Sequence, residues 1–196
     1  MQIHAVQSCL GEQVHLRAGH AFRGAIQEVK DGPVLAVQMK DLDPSRGIGW
    51  NGVIRTRLAS RRPPNWLEQG DVLFVARGTR FYATSVEGLP GQAVCGPHLF
   101  HLRIRAGRDL MPEFLAWQIN QRPFQRALQR AAEGSSQLSV RRPVLESLSI
   151  GIPSLPDQQR IVALARLARR EVEVQRLLLL NREQQFESIA AAIAGA

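Results

Sequence analysis

The chain has 196 residues, 44% hydrophobic and 21% charged, with 25 Lys and Arg against 17 Asp and Glu and a formal charge of +8. That is the composition of a globular soluble protein, and it excludes a membrane-spanning one: runs without a polar residue, such as Leu177 to Leu180 and Ile189 to Ala194, fall far short of the ~20 needed to cross a bilayer. Twenty-three of the 25 basic residues are arginine, whose planar fork grips phosphates and guanine edges through paired hydrogen bonds. A GC-rich genome gives the same bias, so a nucleic-acid partner is the leading expectation rather than a conclusion. Met1 to Leu16 has no signal-peptide character, which predicts a cytoplasmic protein. Two cysteines, Cys9 and Cys95, cannot staple a chain of this size and are expected to be free, buried thiols.

In chain order, Val14 to Gly19 reads as a short strand. Leu35 to Lys40 alternates apolar and polar residues, the period of a half-buried strand with Gln38 and Lys40 on the polar face. Asp71 to Arg77 is apolar on both faces and predicts a central strand. His98 to Arg105 alternates again, placing His101, Arg103 and Arg105 on one side as a polar stripe with two arginines. A helix is predicted from Pro112-Glu113, breaking at Arg122-Pro123, where a second short helix opens and runs to Ala131-Ala132-Glu133 with Gly134 as its C-cap. Arg126 and Arg130 share a face of that helix, either solvated or facing an anion.

Beyond Pro153-Ser154-Leu155-Pro156 the character changes. From Asp157 to about Ile193 there is neither Gly nor Pro, which predicts one helix of roughly 36 residues, about 54 Å long. Ile161, Ala165, Ala168, Val172, Leu179, Phe186 and Ile193 fall near one line on it, and Leu164, Leu167, Val174 and Leu178 form an adjoining strip. So broad an apolar arc predicts a coiled coil with another chain, since this chain holds no second such helix. Gln175 within the arc and Asn181 at its edge either fix register or are simply exposed.

Enzyme signals fail on inspection. Gly47-Ile48-Gly49 follows no apolar strand and opens no helix, so it makes no dinucleotide site. Pro63-Pro64-Asn65-Trp66 scrambles the order that amino-methyltransferases need, and Glu28-Val29-Lys30 has only Glu12 before it where a nuclease site needs an upstream metal-binding carboxylate. Cys95, His98 and His101 would point to different faces of a strand, and Asp41-Leu42-Asp43 before a proline is turn chemistry. No catalytic residue, metal ligand or cofactor is expected.

The basic clusters persuade as a set. Arg55 and Arg57, Arg61 and Arg62, Arg77 and Arg80, Arg103 and Arg105, and Arg141 and Arg142 lie in or beside loops and strand ends, interleaved with Trp50, Trp66, Phe81 and Tyr82. Residues 1 to 155 hold 19 basic and 12 acidic side chains, and residues 156 to 196 hold 6 and 5. The basic excess therefore belongs to the first part of the chain.

The segment Gly134-Ser135-Ser136-Gln137-Leu138-Ser139, followed by Leu145, Leu148, Ile150, Ile152-Pro153-Ser154-Leu155-Pro156, Gln158-Gln159 and Ile161-Val162 ahead of a long helix, resembles the end of a target recognition domain. The family is the DNA-specificity (S) subunit of type I restriction-modification enzymes. Phe22-Arg23-Gly24, Val37 to Leu42 and Gly70 to Gly78 extend the resemblance over nearly the whole chain. It implies a non-catalytic subunit that reads double-stranded DNA and carries adenine-methylating modification subunits and, in full complexes, restriction subunits. Family members usually hold two recognition domains and two long helices, whereas this chain has one of each. That departure implies a half-subunit that homodimerises on its helix to read a bipartite target, although one half of a split pair or a truncated product would look the same.

The expectation is therefore an α+β protein: a mixed α/β target recognition domain over 1–155, then a coiled-coil helix over 156–196 for dimerisation and methyltransferase docking. Lys40, Arg55, Arg57, Arg61, Arg62, Arg77, Thr79, Arg80, Tyr82 and Gln137 are the candidate DNA contacts. Arg77 and Arg80 are assigned to base edges, Tyr82 to apolar or stacking contact, and Lys40, Arg55, Arg57, Arg61 and Arg62 to phosphates. The helix residues from Ile161 to Ile193 named above are the candidate interface. The alternatives are a stand-alone DNA-binding regulator without enzyme partners and a protein-interaction adaptor.

Overall fold

Val72 to Val75 are fully buried on both faces, and the sheet of the domain is built around them. A computed structural model describes residues 4–59, 63–132 and 138–195. Its elements, in order, are β1 Ala5–Cys9, α1 Leu10–Gln13, β2 Val14–Ala18, β3 Val34–Val37, β4 Leu42–Asp43, β5 Gly47–Ile48, β6 Ile54–Thr56, β7 Val72–Val75, β8 Tyr82–Ser85, β9 Ala93–Cys95 and β10 Leu99–Ile104. There follow α2 Pro112–Ile119, α3 Arg122–Ala131, α4 Arg142–Glu146, β11 Ser149–Pro153 and α5 Leu155–Ala194.

The largest sheet runs β2-β10-β7-β8, with every neighbour antiparallel. The outer strand β8 is closed by a side chain: Asn120, at the end of α2, accepts from the Ala83 N–H (2.9 Å) and donates to the Ala83 carbonyl (2.8 Å). A second sheet runs β6-β3-β9, antiparallel on one side of β3 and parallel on the other. Between the sheets, Leu35, Val37, Leu73, Val75, Val86 and Leu99 form a common core.

The half-buried strand expected over Leu35 to Lys40 is corrected. Residues 34–37 are buried on both faces, with β3 the central strand of its sheet, and the chain then turns through a short 3-10 segment, Met39–Asp41. Lys40 is thus on a turn rather than a strand face. Asp41 caps that turn, its Oδ2 accepting the Gln38 N–H at 2.8 Å. Cys9 is exposed, contrary to expectation, because β1 ends a two-stranded ribbon with only β11 as neighbour; Cys95 is buried, which pushes its thiol up to about 12.

The β1–β11 pairing, from Ala5 opposite Pro153 to Cys9 opposite Ser149, ties the start of the chain to the strand that leads into α5. The helix begins two residues before the expected Asp157, since Pro156 fits a first turn that needs no N–H. Ser154 caps it, its hydroxyl oxygen accepting the Asp157 N–H at 3.4 Å while the hydroxyl donates to the Asp157 carboxylate at 2.7 Å. Gln158, fully buried, locks the first turn: its Oε1 accepts the Met111 N–H, and its Nε2 donates to the Asp109 and Pro153 carbonyls, each at 2.8 Å.

The chain divides into two compact units, Met1–Gln159 and Arg160–Ala196, the second made of α5 alone. Among the described residues no helix is long and apolar enough to cross a membrane.

Candidate nucleic-acid interface

The β7–β8 connection carries three of the candidate DNA contacts. After Ala76 the chain leaves the sheet, and Arg77, Thr79 and Arg80 stand exposed around Gly78, whose φ of 123° is open to glycine but not to ordinary side chains. The backbone of this loop is clasped from outside. The Val140 N–H donates to the Ala76 carbonyl at 2.9 Å, the Gly78 N–H donates to the Leu138 carbonyl at 3.1 Å, and Arg77 is bridged to Ser139. A fixed backbone with projecting arginines suits recognition, because less order has to be created on binding.

Tyr82, the first residue of β8, is half-buried against the core. Its hydroxyl reaches the Leu42 carbonyl at 3.1 Å and the Met39 carbonyl at 3.3 Å, the two carbonyls that flank the Lys40 turn. Burial raises its pKa, and the nearby Asp43 charge adds to the rise. The phenol hydroxyl thus engages the protein's own backbone and joins the Lys40 turn to the β7–β8 loop. The β4–β5 hairpin adds a cation that sequence reasoning missed. Burial alone would raise the Asp43 carboxyl, but hydrogen bonds from Ser45 and the Arg46 N–H, with the Arg46 charge, hold it below the usual range. Asp43 so shapes a tip on which Arg46 is exposed.

Arg55 and Arg57 are brought elsewhere, on and just after β6, the edge strand beside β3. Arg55 donates to the Gly32 carbonyl at 3.3 Å and lines a cleft of about 590 Å³ together with Glu28, Lys30, Trp50 and Asn51. Trp50 is fixed there by its indole N–H, which donates to the Glu87 carbonyl at 2.7 Å. Lys30, Asn51 and Trp50 gave no joint signal in sequence because the buried strand β3 lies between them. Arg61, Arg62 and Gln137, with the Gly134 cap, lie outside the described residues.

The arginine stripe expected on β10 does not exist as a free surface. Arg103 Nε donates to Asp71 Oδ1 and its Nη2 to Asp71 Oδ2, both at 2.8 Å, while Nη1 meets Glu68 at 2.6 Å and Nη2 also reaches the Trp66 carbonyl. His101 Nε2 lies 2.7 Å from Asp71 Oδ2, with both side chains buried. Burial raises the Asp71 carboxyl, but Arg103 and His101 outweigh it and hold the group at about 2. Arg105 donates to the Gly11 carbonyl, and Arg142 pairs with Glu146 at 2.8 Å. Phe81 is likewise internal, stacked on Phe74.

On α5 the candidate interface residues Val172, Leu179, Phe186 and Ile193 are 60 to 82% exposed, with Ala168 exposed and Ile161 and Ala165 partly so. Among the described residues no three His, Cys, Asp or Glu side chains converge as a metal set.

A mixed α/β domain with clasped, arginine-bearing loops, running into a single long helix, is the architecture at hand. No protein-family model and no curated protein matches the chain. Solved structures do. The chain is similar to the S subunit of a type I restriction-modification system from M. genitalium, with a TM-score of 0.57 and 14% identity over 94% of this chain and 44% of that one. It is similar to a chain from a study of complex assembly and conformational transition of the type I R-M system, at TM-score 0.70 and 17% identity over 98% and 45%. It also resembles the HsdS subunit from Thermoanaerobacter tengcongensis, at TM-score 0.60 and 16% identity over 89% and 39%. The chain therefore has the fold that the sequence resemblance implied, and it spans less than half the length of each of these proteins.

Proposed function

We propose that the chain is a non-catalytic, sequence-specific DNA-binding specificity subunit of a type I restriction-modification complex, working with an adenine-methylating modification subunit. In this reading it is a half-subunit: residues 1–155 read one half of a bipartite target in double-stranded DNA, and residues 156–196 pair with a second copy and dock the methyltransferase. A restriction subunit would join through the same assembly.

The observation that carries the proposal is the combination of one S-subunit-like fold with one long helix whose apolar side chains are left exposed. Leu164, Leu167, Leu178, Leu179 and Phe186 are each more than half exposed, a surface that soluble chains normally cover with a partner. Self-pairing through such a helix gives a two-fold assembly, and a two-fold reader faces a symmetric target. Arg77 and Arg80 act on base edges from their clasped loop, and Lys40, Arg55 and Arg57 act on phosphates. Tyr82 serves them by holding the Lys40 turn.

The test is a map of methylated adenines in cells that express this chain with its modification subunit. The reading expects one interrupted, symmetric motif that disappears when the chain is omitted. Methylation indifferent to the chain would contradict it.

A further inference from the structure

Helix α3 has two very different sides. Phe124 and Leu128 are buried beneath it, while Arg122, Arg126 and Arg130 are exposed at every fourth position. Its ten residues, RPFQRALQRA, include no Asp or Glu. Among the described residues none of the three arginines has an ion-pair partner, and the one hydrogen bond they make is from Arg130 Nε to the Arg126 carbonyl at 3.3 Å. Like charges four apart on a helix repel, and Arg122 stands in the first turn, where the helix dipole also opposes a cation. Among the described residues no carboxylate pairs with them, in contrast to Arg103, which is held by two carboxylates and a carbonyl.

We propose that the Arg122–Arg126–Arg130 row is a second DNA contact, a sequence-independent clamp on consecutive backbone phosphates, separate from the loops that read bases. It rests on the DNA-binding reading above and extends it. Eight residues of helix rise about 12 Å, and a DNA strand presents a phosphate about every 3.4 Å of axis, so the row faces roughly three or four phosphates. Arginine is the side chain that grips such oxygens in pairs. An acidic protein surface is the competing occupant, and the surroundings disfavour it. Protein interfaces centre on large apolar side chains, and none on α3 is exposed. A purely cationic, regularly spaced row fits a polyanion of regular repeat.

The test is the triple variant Arg122→Gln, Arg126→Gln, Arg130→Gln in the full chain, with glutamine keeping helix propensity and an unchanged melting temperature confirming the fold. Binding to a random-sequence duplex is measured by fluorescence anisotropy across a salt series. The slope of log K against log salt should flatten by about 2.7, or roughly 0.9 for each of three phosphates. The ratio of affinities between duplexes of different sequence should stay as in the parent chain. A parent chain that binds with a slope unaltered in the variant overturns the clamp alone, and loss of modification-subunit binding with an unaltered slope assigns the row to an acidic protein instead. A parent chain that binds no duplex at low salt overturns the clamp and the DNA-binding reading together.

Discussion

Asp71 is the buried charge that takes Arg103 out of the expected surface stripe. It is 2% exposed, and its carboxyl sits at about 2 rather than 3.8 because Arg103 and His101 outweigh the cost of burial. A carboxyl depressed in the folded state adds stability that is fully present above its unfolded value and is lost as pH falls through the folded one. Asp71→Asn should therefore lower stability by about 2 kcal/mol at neutral pH, with the gap to the parent closing between pH 4 and 2. Thermal melts of both proteins across that range check it; a gap that persists at pH 2 contradicts the assignment. Among the exposed arginines the expected effects divide by role. Arg80→Ala should relax base preference, while Arg57→Ala should weaken binding to all sequences and flatten the salt slope by about 0.9. Binding measured on a panel of duplexes separates the two, and matching profiles for both variants would refute the division.

At the scale of elements, apolar pattern, prolines and caps located several of the main elements. The central strand β7, the proline-opened helices α2 and α3 and the long α5 all stand where apolar pattern and caps put them. The pattern of Leu35 to Lys40 misled because the strand ends at Val37, so that Gln38 and Lys40 belong to a turn fixed by the Asp41 cap rather than to a polar strand face. The Arg103 stripe misled for a related reason: its partner Asp71 is 32 residues away and meets it only through the β7–β10 pairing. Gln158 was legible as part of a motif, but its three backbone partners belong to a distant loop and the preceding strand, which no local pattern displays.

The helix α5 supports a sharper expectation. Heptad spacing puts Ala165, Val172, Leu179, Phe186 and Ile193 on one seam position and Ile161, Ala168, Gln175, Arg182 and Ile189 on the other. Leu179→Glu should then weaken self-association at least tenfold, the equivalent of about 1.4 kcal/mol. Sedimentation equilibrium reads it; an unchanged association constant argues against this seam.

For the whole molecule, charge and hydrophobicity divide between the two units. The balance of 19 basic to 12 acidic residues over 1–155 falls on the part with arginine-bearing loops and the α3 row, and the nearly neutral remainder is the helix with its exposed apolar side chains. One part is suited to a polyanion and the other to protein, which is the division the proposed function needs. The most direct test is native mass measurement of this chain co-expressed with its modification subunit. The account predicts a stable complex holding two copies of the chain that binds duplex DNA. A chain that stays free of the modification subunit, as monomer or dimer, would contradict it.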